Sequence, residues 1–155
     1  MSVKFIRIDD RLIHGQIVTK WAKRKNVSKI WIIDDGVAAD SFISGVMKMV
    51  APSNTELIIT GVDKIPEVLA DLEGDKENSL ILVKFPWVAK KVFEVGMELQ
   101  ELNVGGMGAG PGRSQLYKNI SASEEEKQTL QEIKDMGVKV YLQVVPDDRE
   151  VEFKL

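Results

Sequence analysis

Short apolar runs alternate with amphipathic stretches along most of the chain. Val3 to Asp9 alternates and is rich in β-formers, and similar runs recur at Lys29–Asp34, Glu56–Thr60, Leu80–Lys84, Glu101–Val104, Gln115–Lys118 and Lys139–Gln143. Most of the gaps between these candidate strands carry helical spacing. The first helix starts near Gly15, with Ile17, Val18 and Trp21 on one face, and others are predicted over Ala39–Val50, Asp63–Leu72, Trp87–Val95 and Ser123–Met136. Pro86 suits a helix start. Ser121 to Glu126 offers two capping-box registers, and Gly137 suits the exit of the last helix. Strands alternating with helices predict an α/β fold: a single-domain, open three-layer sandwich with a mostly parallel central sheet flanked by helices. No linker, repeat or low-complexity tract interrupts the pattern, so residues 1–155 are expected to form one domain. The charged stretch Pro146 to Glu150 reads as a turn, loosely ordered or packed against a neighbour.

The only histidine of the chain, His14, falls on the turn between the first strand and the first helix. In an open α/β sheet such turns lie at the carboxyl ends of the strands, where ligands bind. Gly15 lets the backbone pass close to a ligand, and the first amides of the following helix are unpaired and favour an anion. Arg11 is placed to hold phosphoryl oxygens through paired, charge-assisted hydrogen bonds. Asp9 and Asp10 end the strand and are candidates to orient Arg11 or the imidazole. Imidazole is largely unprotonated at neutral pH and both attacks phosphorus and leaves again, which fits a phosphoryl carrier better than a hydrolase. Arg7 reads as a solvated or salt-bridged strand position and is left out of the site.

The run R-I-D-D-R-L-I-H-G-Q (Arg7 to Gln16) closely resembles the phosphorylation-site turn of the enzyme IIB components of the mannose/sorbose class of the bacterial phosphoenolpyruvate-dependent sugar phosphotransferase system. The likeness continues through I-I-D-D-G-V-A-A-D (Ile32 to Asp40), V-A-P (Val50 to Pro52), L-N-V-G-G-M (Leu102 to Met107) and the Ser121–Gly137 region followed by V-K-V-Y-L-Q-V-V-P. It covers nearly the whole chain in order. The resemblance implies a cytoplasmic phosphotransferase, standing here as IIB alone, that associates with the membrane only through its partners. His14 would take a phosphoryl group from a IIA phosphohistidine, on Nδ1, and give it to a sugar held by the membrane IIC and IID subunits. Arg11, Asp10, Asp9, Gly15 and Gln16 would bind or support the phosphoryl group, with no metal or other cofactor. The chain departs from the family in one loop. After Gly105-Gly106-Met107 the family usually places larger residues before a Gly-Lys or Gly-Arg pair, whereas here the run is Gly108-Ala109-Gly110-Pro111-Gly112-Arg113, and Arg113 is the residue available to keep the basic role.

Composition narrows the alternatives. With 44% hydrophobic residues, no cysteine and one histidine, the chain has core enough to fold and no ordinary zinc or iron–sulfur ligand set. The lack of cysteine is compatible with a reducing cytoplasm. The opening Met-Ser-Val-Lys-Phe-Ile-Arg lacks a signal-peptide core, and no window reaches the length of a membrane span. A net charge of −3 argues against a nucleic-acid binder. Lys20, Lys23, Arg24 and Lys25 crowd the end of the first helix, where they read as a solvated end before a docking patch.

Two other classes compete with the phosphocarrier. A receiver-like domain needs an acceptor aspartate ending the third strand, where this chain has Thr60-Gly61. A nucleotide-binding module needs G-x-G-x-x-G or G-x-x-x-x-G-K-[ST], and neither spacing fits the run from Gly105, which reads as a connector or partner-facing loop. Trp21 and Trp31 are expected in the core, with Trp87 free to face a partner. Asp34 and Asp35 either shape the site or cap the segment that follows.

Overall fold

A computed structural model describes residues 3–155; Met1 and Ser2, the start of the opening segment read above, lie outside the described residues. One seven-stranded sheet forms the middle layer. Its strands are β1 (Lys4–Asp9), β2 (Lys29–Ile33), β3 (Glu56–Thr60), β4 (Ser79–Val83), β5 (Glu101–Gly106), β8 (Lys139–Leu142) and β9 (Val151–Glu152), in the order β3-β2-β4-β1-β5-β8-β9. All neighbours are parallel except β8 and β9. A separate antiparallel hairpin consists of β6 (Ser114–Tyr117) and β7 (Ile120–Ala122).

The two faces of the sheet bury different clusters, as strand alternation requires. Ile6 and Ile8 of β1, with Ile81, Val83 and Leu102, pack beneath three helices, α4 (Ile65–Glu73), α5 (Pro86–Val95) and α6 (Glu124–Asp135). Phe5, Ile30, Ile32, Leu80 and Leu82 pack on the other face beneath α1 (Gly15–Arg24), whose Val18, Trp21 and Ala22 are buried. The alternation places Phe5, Arg7 and Asp9 on the α1 side. The three-layer α/β expectation is met.

Several boundaries differ from the sequence reading for local reasons. The helix expected over Ala39–Val50 is α3 (Ser41–Val50), and a short helix that was not expected, α2 (Asp35–Ala39), precedes it; the two are separate because Asp40 is extended (φ −109°, ψ 100°) and its carboxylate caps Phe42 and Ile43. Asp34 accepts from the Val37 amide and Asp35 from the Val62 amide, so both serve as caps and tethers. A single 3₁₀ turn, Val62–Lys64, precedes α4, and the helix itself begins at Ile65 with Pro66 in its first turn. Of the two capping-box registers, the protein uses Ser123 with Glu126. β7 and β9 were not expected; they have only three and two residues, too few for a visible period.

Candidate functional site

β1 lies in the middle of the sheet, and the turn leaving its carboxyl end carries His14. The chain reverses at once, with the Leu12 amide donating to the Asp9 carbonyl (2.9 Å) and Leu12 itself at φ 55°. The αL conformation is costly for a leucine, and its side chain, 1% exposed, anchors the turn in the α1-side cluster. Gly15 opens α1 at φ 49° with open space where a Cβ would stand. The glycine therefore answers a backbone requirement, not a close contact. His14 is the N-cap, but its side chain caps nothing and no acidic residue occupies the first turn, so the first amides of α1 have no side-chain acceptor. Gln16 beside them is exposed.

His14, Arg11 and Asp9 converge. Asp9, fully buried, accepts from the Arg11 amide (3.1 Å) and lies 3.8 Å from Arg11 Nε and, through its other oxygen, 3.8 Å from His14 Nε2. His14 Nδ1 sits 3.1 Å from the Leu12 carbonyl oxygen. The His14 side chain is 21% exposed, yet Nε2 is inaccessible and makes no hydrogen bond. The Arg11 side chain is 49% exposed and has room to reach an incoming anion.

Asp10 belongs to a different arrangement from the one expected of it. Its carboxylate turns away from His14, accepting from the Gly108 amide (2.8 Å) and from Arg113 Nη1 (3.4 Å). Arg113 also donates to the Gly108 carbonyl (2.7 Å) and makes a two-point pair with Glu126 (3.0 and 2.7 Å). These contacts raise its pKa, the Glu126 hydrogen bond contributing most. Arg113 is thus a clamp holding the glycine-rich loop to β1 and α6, and its guanidinium is already occupied. Between this loop and the β6–β7 hairpin runs an open groove of about 620 Å³ whose walls include Asp10, Arg11, Gly108, Gln115 and Lys118. On the other side of the turn a recess of about 260 Å³ is bounded by Arg11, Leu12, Ile43, Met47 and Lys84.

Arg7, set aside on sequence grounds, is fully buried directly under the site. It donates from Nη1 to Asn103 Oδ1 (2.5 Å) and the Gln143 carbonyl (2.9 Å), and from Nη2 to the Val144 carbonyl (2.8 Å) and Asp9 Oδ2 (3.3 Å). Its Cζ lies 5.0 Å from the centre of the Trp21 ring. Burial lowers its pKa to about 10 against the pull of Asp9, so it remains a cation at neutral pH. The glycines of β5 make this possible. A Cβ on Gly105 would stand 1.8 Å from Arg7 Cζ, and one on Gly106 would stand 2.7 Å from Asp9 Oδ1. The β1–β5 register shifts at this point, pairing Ile8 with Val104 but Asp9 with Gly106. Gly105-Gly106 is therefore a bulged strand cleared for two charged side chains, and not part of a connector or phosphate loop. Available signals were Arg7 standing two residues before Asp9, hence on its face, and an adjacent glycine pair ending the strand Glu101–Gly106.

The segment from Val144 packs over this layer, so that the start of Pro146–Glu150, read as a turn either loosely ordered or packed against a neighbour, is tied to α1 of its own chain. Trp21 Nε1 donates to the Val144 carbonyl (3.1 Å), and Arg24 donates to the Pro146 carbonyl and pairs with Asp147. Trp21 and Trp31 are buried, and Trp87 is exposed. Of the four cations at the end of α1, Arg24 is a tether and Lys25 lies over the Phe5 ring, its Nζ 4.6 Å from the centroid. Among the described residues no group of three or more acidic, histidine or cysteine side chains is placed to hold a metal, and no helix is long and apolar enough to cross a membrane.

The strand order also bears on the receiver-like alternative. Here β4 lies between β1 and β2, whereas a flavodoxin-like sheet places the first two strands side by side. β3 ends in Thr60, with no aspartate there.

Comparison with known proteins identifies the architecture. The family model described as "PTS system sorbose subfamily IIB component" matches residues 3–155. The chain is 31% identical over 153 residues to the fructose-specific EIIB component of Bacillus subtilis, covering 99% of this chain and 94% of that one. It is 30% identical over 152 residues to the mannose-specific EIIAB component of Escherichia coli, covering 98% of this chain and 47% of that longer protein. The crystal structure of the IIB domain of the Klebsiella pneumoniae sorbose permease superposes with a TM-score of 0.91 at 32% identity, covering 98% of this chain and 93% of that one. The chain belongs to the sorbose subfamily of IIB components of the sugar phosphotransferase system.

Proposed function

We propose that this IIB component is a cytoplasmic phosphocarrier in which His14 accepts a phosphoryl group from a phosphohistidine of a IIA protein. His14 then passes it to a sugar held by the membrane IIC and IID subunits, through which the chain meets the membrane. The observation that carries this reading is the convergence of His14, a half-exposed Arg11 and the uncapped start of α1 at the tip of the central strand. That the mannose-specific relative in Escherichia coli is an EIIAB protein supports IIA as the donor.

The chemistry needs little from the chain beyond placement and charge. An imidazole nitrogen of His14 attacks phosphorus, and a P–N bond forms as the donor's P–N bond breaks and the donor ring departs. Arg11 and the first amides of α1 neutralise the equatorial oxygens as charge spreads over them. In the second step a sugar hydroxyl oxygen bonds to phosphorus as the P–N bond to His14 breaks, the hydroxyl proton passing to solvent and the imidazole departing neutral. Nδ1 is the nitrogen assigned to the phosphoryl group, in keeping with an Nε2 turned inward against Asp9. Gly15 and Gln16 belong to the phosphoryl-binding helix start, whereas Asp10 supports the neighbouring loop.

Incubation with phosphoenolpyruvate, the general phosphotransferase proteins and a mannose-class IIA, followed by intact mass and phosphopeptide mapping, tests this. One phosphoryl group on His14, labile in acid, stable in base and absent from His14→Ala, is expected. No label from several IIA donors that are themselves phosphorylated would overturn it.

A further inference from the structure

We propose that Lys84, just past the carboxyl end of β4, is a second cation for the phosphoryl group, bringing its ammonium to the phosphoryl oxygens alongside Arg11. This rests on the phosphocarrier reading and adds to it a residue that binds the transferred group.

Its placement comes from the sheet. β4 runs beside β1 in parallel register, with Ile8 opposite Val83, so the next residues on the two strands are Asp9 and Lys84. Neighbouring strands lie about 5 Å apart, which puts Lys84 one strand spacing from the turn that carries His14. Alternation sends Leu82 into the α1-side cluster and Val83 into the other, and returns Lys84 to the α1 side, the side of Asp9. The recess of about 260 Å³ beside the turn agrees with this. Lys84 and Arg11 both line it, together with Leu12, Val37 and Met47 of the α1-side cluster.

Its charge is the one left over. Asp9 pairs with Arg7 and more loosely with Arg11, and Arg113 is shared between Asp10 and Glu126, so around the turn three guanidiniums meet three carboxylates and cancel. A phosphoryl group adds about −1.5 to −2 at neutral pH, and a helix start offers roughly half a positive charge against it. One more cation is needed. Lys84 is half-buried, and among the described residues it makes no hydrogen bond or ion pair; its Nζ lies 5.7 Å from the centre of the Phe85 ring next to it. Asp10 and Asp34 line the same recess, yet Lys84 pairs with neither. Asp10 is held by Gly108 and Arg113, and Asp34 by the Val37 amide. A compact ammonium on a flexible stem suits a cation that must follow a group moving onto the ring and off again.

The single histidine makes the test direct. Phosphoramidate phosphorylates histidine without a protein donor, and the 31P resonance of the product in the full-length chain titrates as the phosphoryl group loses its second proton. A cation about 6 Å away in a watery setting lowers that midpoint by about 0.5 in pH. Lys84→Met is therefore expected to raise the midpoint by this amount, and Lys84→Arg to keep the wild-type value. Lys48→Met, which takes the same charge off the exposed side of α3, should leave it unchanged. With phosphorylated IIA as donor, Lys84→Met should lower kcat about tenfold and change KM little, as loss of a group that meets the transition state does. An unmoved midpoint in Lys84→Met, an equal shift in Lys48→Met, or a loss confined to KM overturns the proposal, the last because the lysine would then meet the partner instead of the phosphoryl group. The titration needs no IIA, so a chain that IIA cannot phosphorylate would sink the carrier reading while the midpoint still decides the role of Lys84.

Discussion

At the scale of single residues the proposed function divides the site into groups that would meet an incoming anion and groups that hold them. Arg11 is of the first kind. It is half exposed and only loosely paired, so Arg11→Ala is expected to leave stability within about 0.5 kcal/mol while slowing phosphoryl transfer roughly a hundredfold, as removal of one anion-stabilising donor does. Stopped-time phosphorylation assays and urea unfolding on the same preparation separate the two effects. Equal loss of stability and rate would place Arg11 among the supports instead. Gly105 is of the second kind. A methyl group 1.8 Å from Arg7 Cζ has nowhere to go, and Gly105→Ala is expected to cost about 3 kcal/mol in urea unfolding. Gly108→Ala, whose new Cβ would meet only Asp10 Oδ2 at 3.5 Å, is the control and should cost far less. Comparable losses in both would mean that β5 has no reserved space for the guanidinium.

At the scale of elements, what could be read beforehand follows from the range of the forces involved. β1 and α1 are set by local alternation and helical spacing, so the turn between them, and with it His14, Arg11 and Asp9, was legible. α3 was legible by its helical spacing too, whereas α2 was not, because its five residues are too few for a visible period. Arg7 is salt-bridged to Asp9, one of the two readings open for it, but its burial was not legible because its other partners, Asn103 and the carbonyls of residues 143 and 144, lie about a hundred residues or more away, and strand alternation gives a face without saying what covers it. The same holds for Asp10, whose neighbours on the sequence suggested the site but whose bonds go to Gly108 and Arg113. The α6 start shows how such a long-range tie couples to pH. Burial opposes ionisation of Glu126, but the Arg113 pair and the Ser123 amide outweigh it and hold the carboxyl below its usual 4.5. The stabilisation is therefore complete above pH ~4.5 and is lost as pH falls through the depressed value. Urea unfolding of Glu126→Gln across pH 3 to 7 should show a variant weaker than wild type at neutrality, with the gap closing toward acid. A gap independent of pH would mean that the clamp works through packing alone.

For the molecule as a whole, the sheet places its chemistry where the frame is stiffest. β1 and β4 are sandwiched between both clusters, and Ile6, Ile8 and every residue from Leu80 to Val83 are completely buried. α3 is the opposite case. It buries no residue, and Phe42 and Met49 are 74% and 85% exposed. The β6–β7 hairpin is anchored through β7, whose Ile120 and Ala122 are completely buried in the main cluster and whose Ile120 pairs with Met107. Local stability follows buried apolar contact, so native-state hydrogen exchange should be slowest in β1 and β4, close to the global unfolding limit, and much faster in α3. On the proposed carrier function, presenting one imidazole to two different partners gains from this division, because the turn bearing His14 springs from a strand buried on both faces while α3 beside it stays adaptable. Exchange measured with and without phosphorylation sharpens the point: added protection should fall on the amides at the start of α1 and leave β1 unchanged. If α3 exchanged as slowly as β1, or if phosphorylation loosened β1, the rigid-frame account of the site would have to be abandoned.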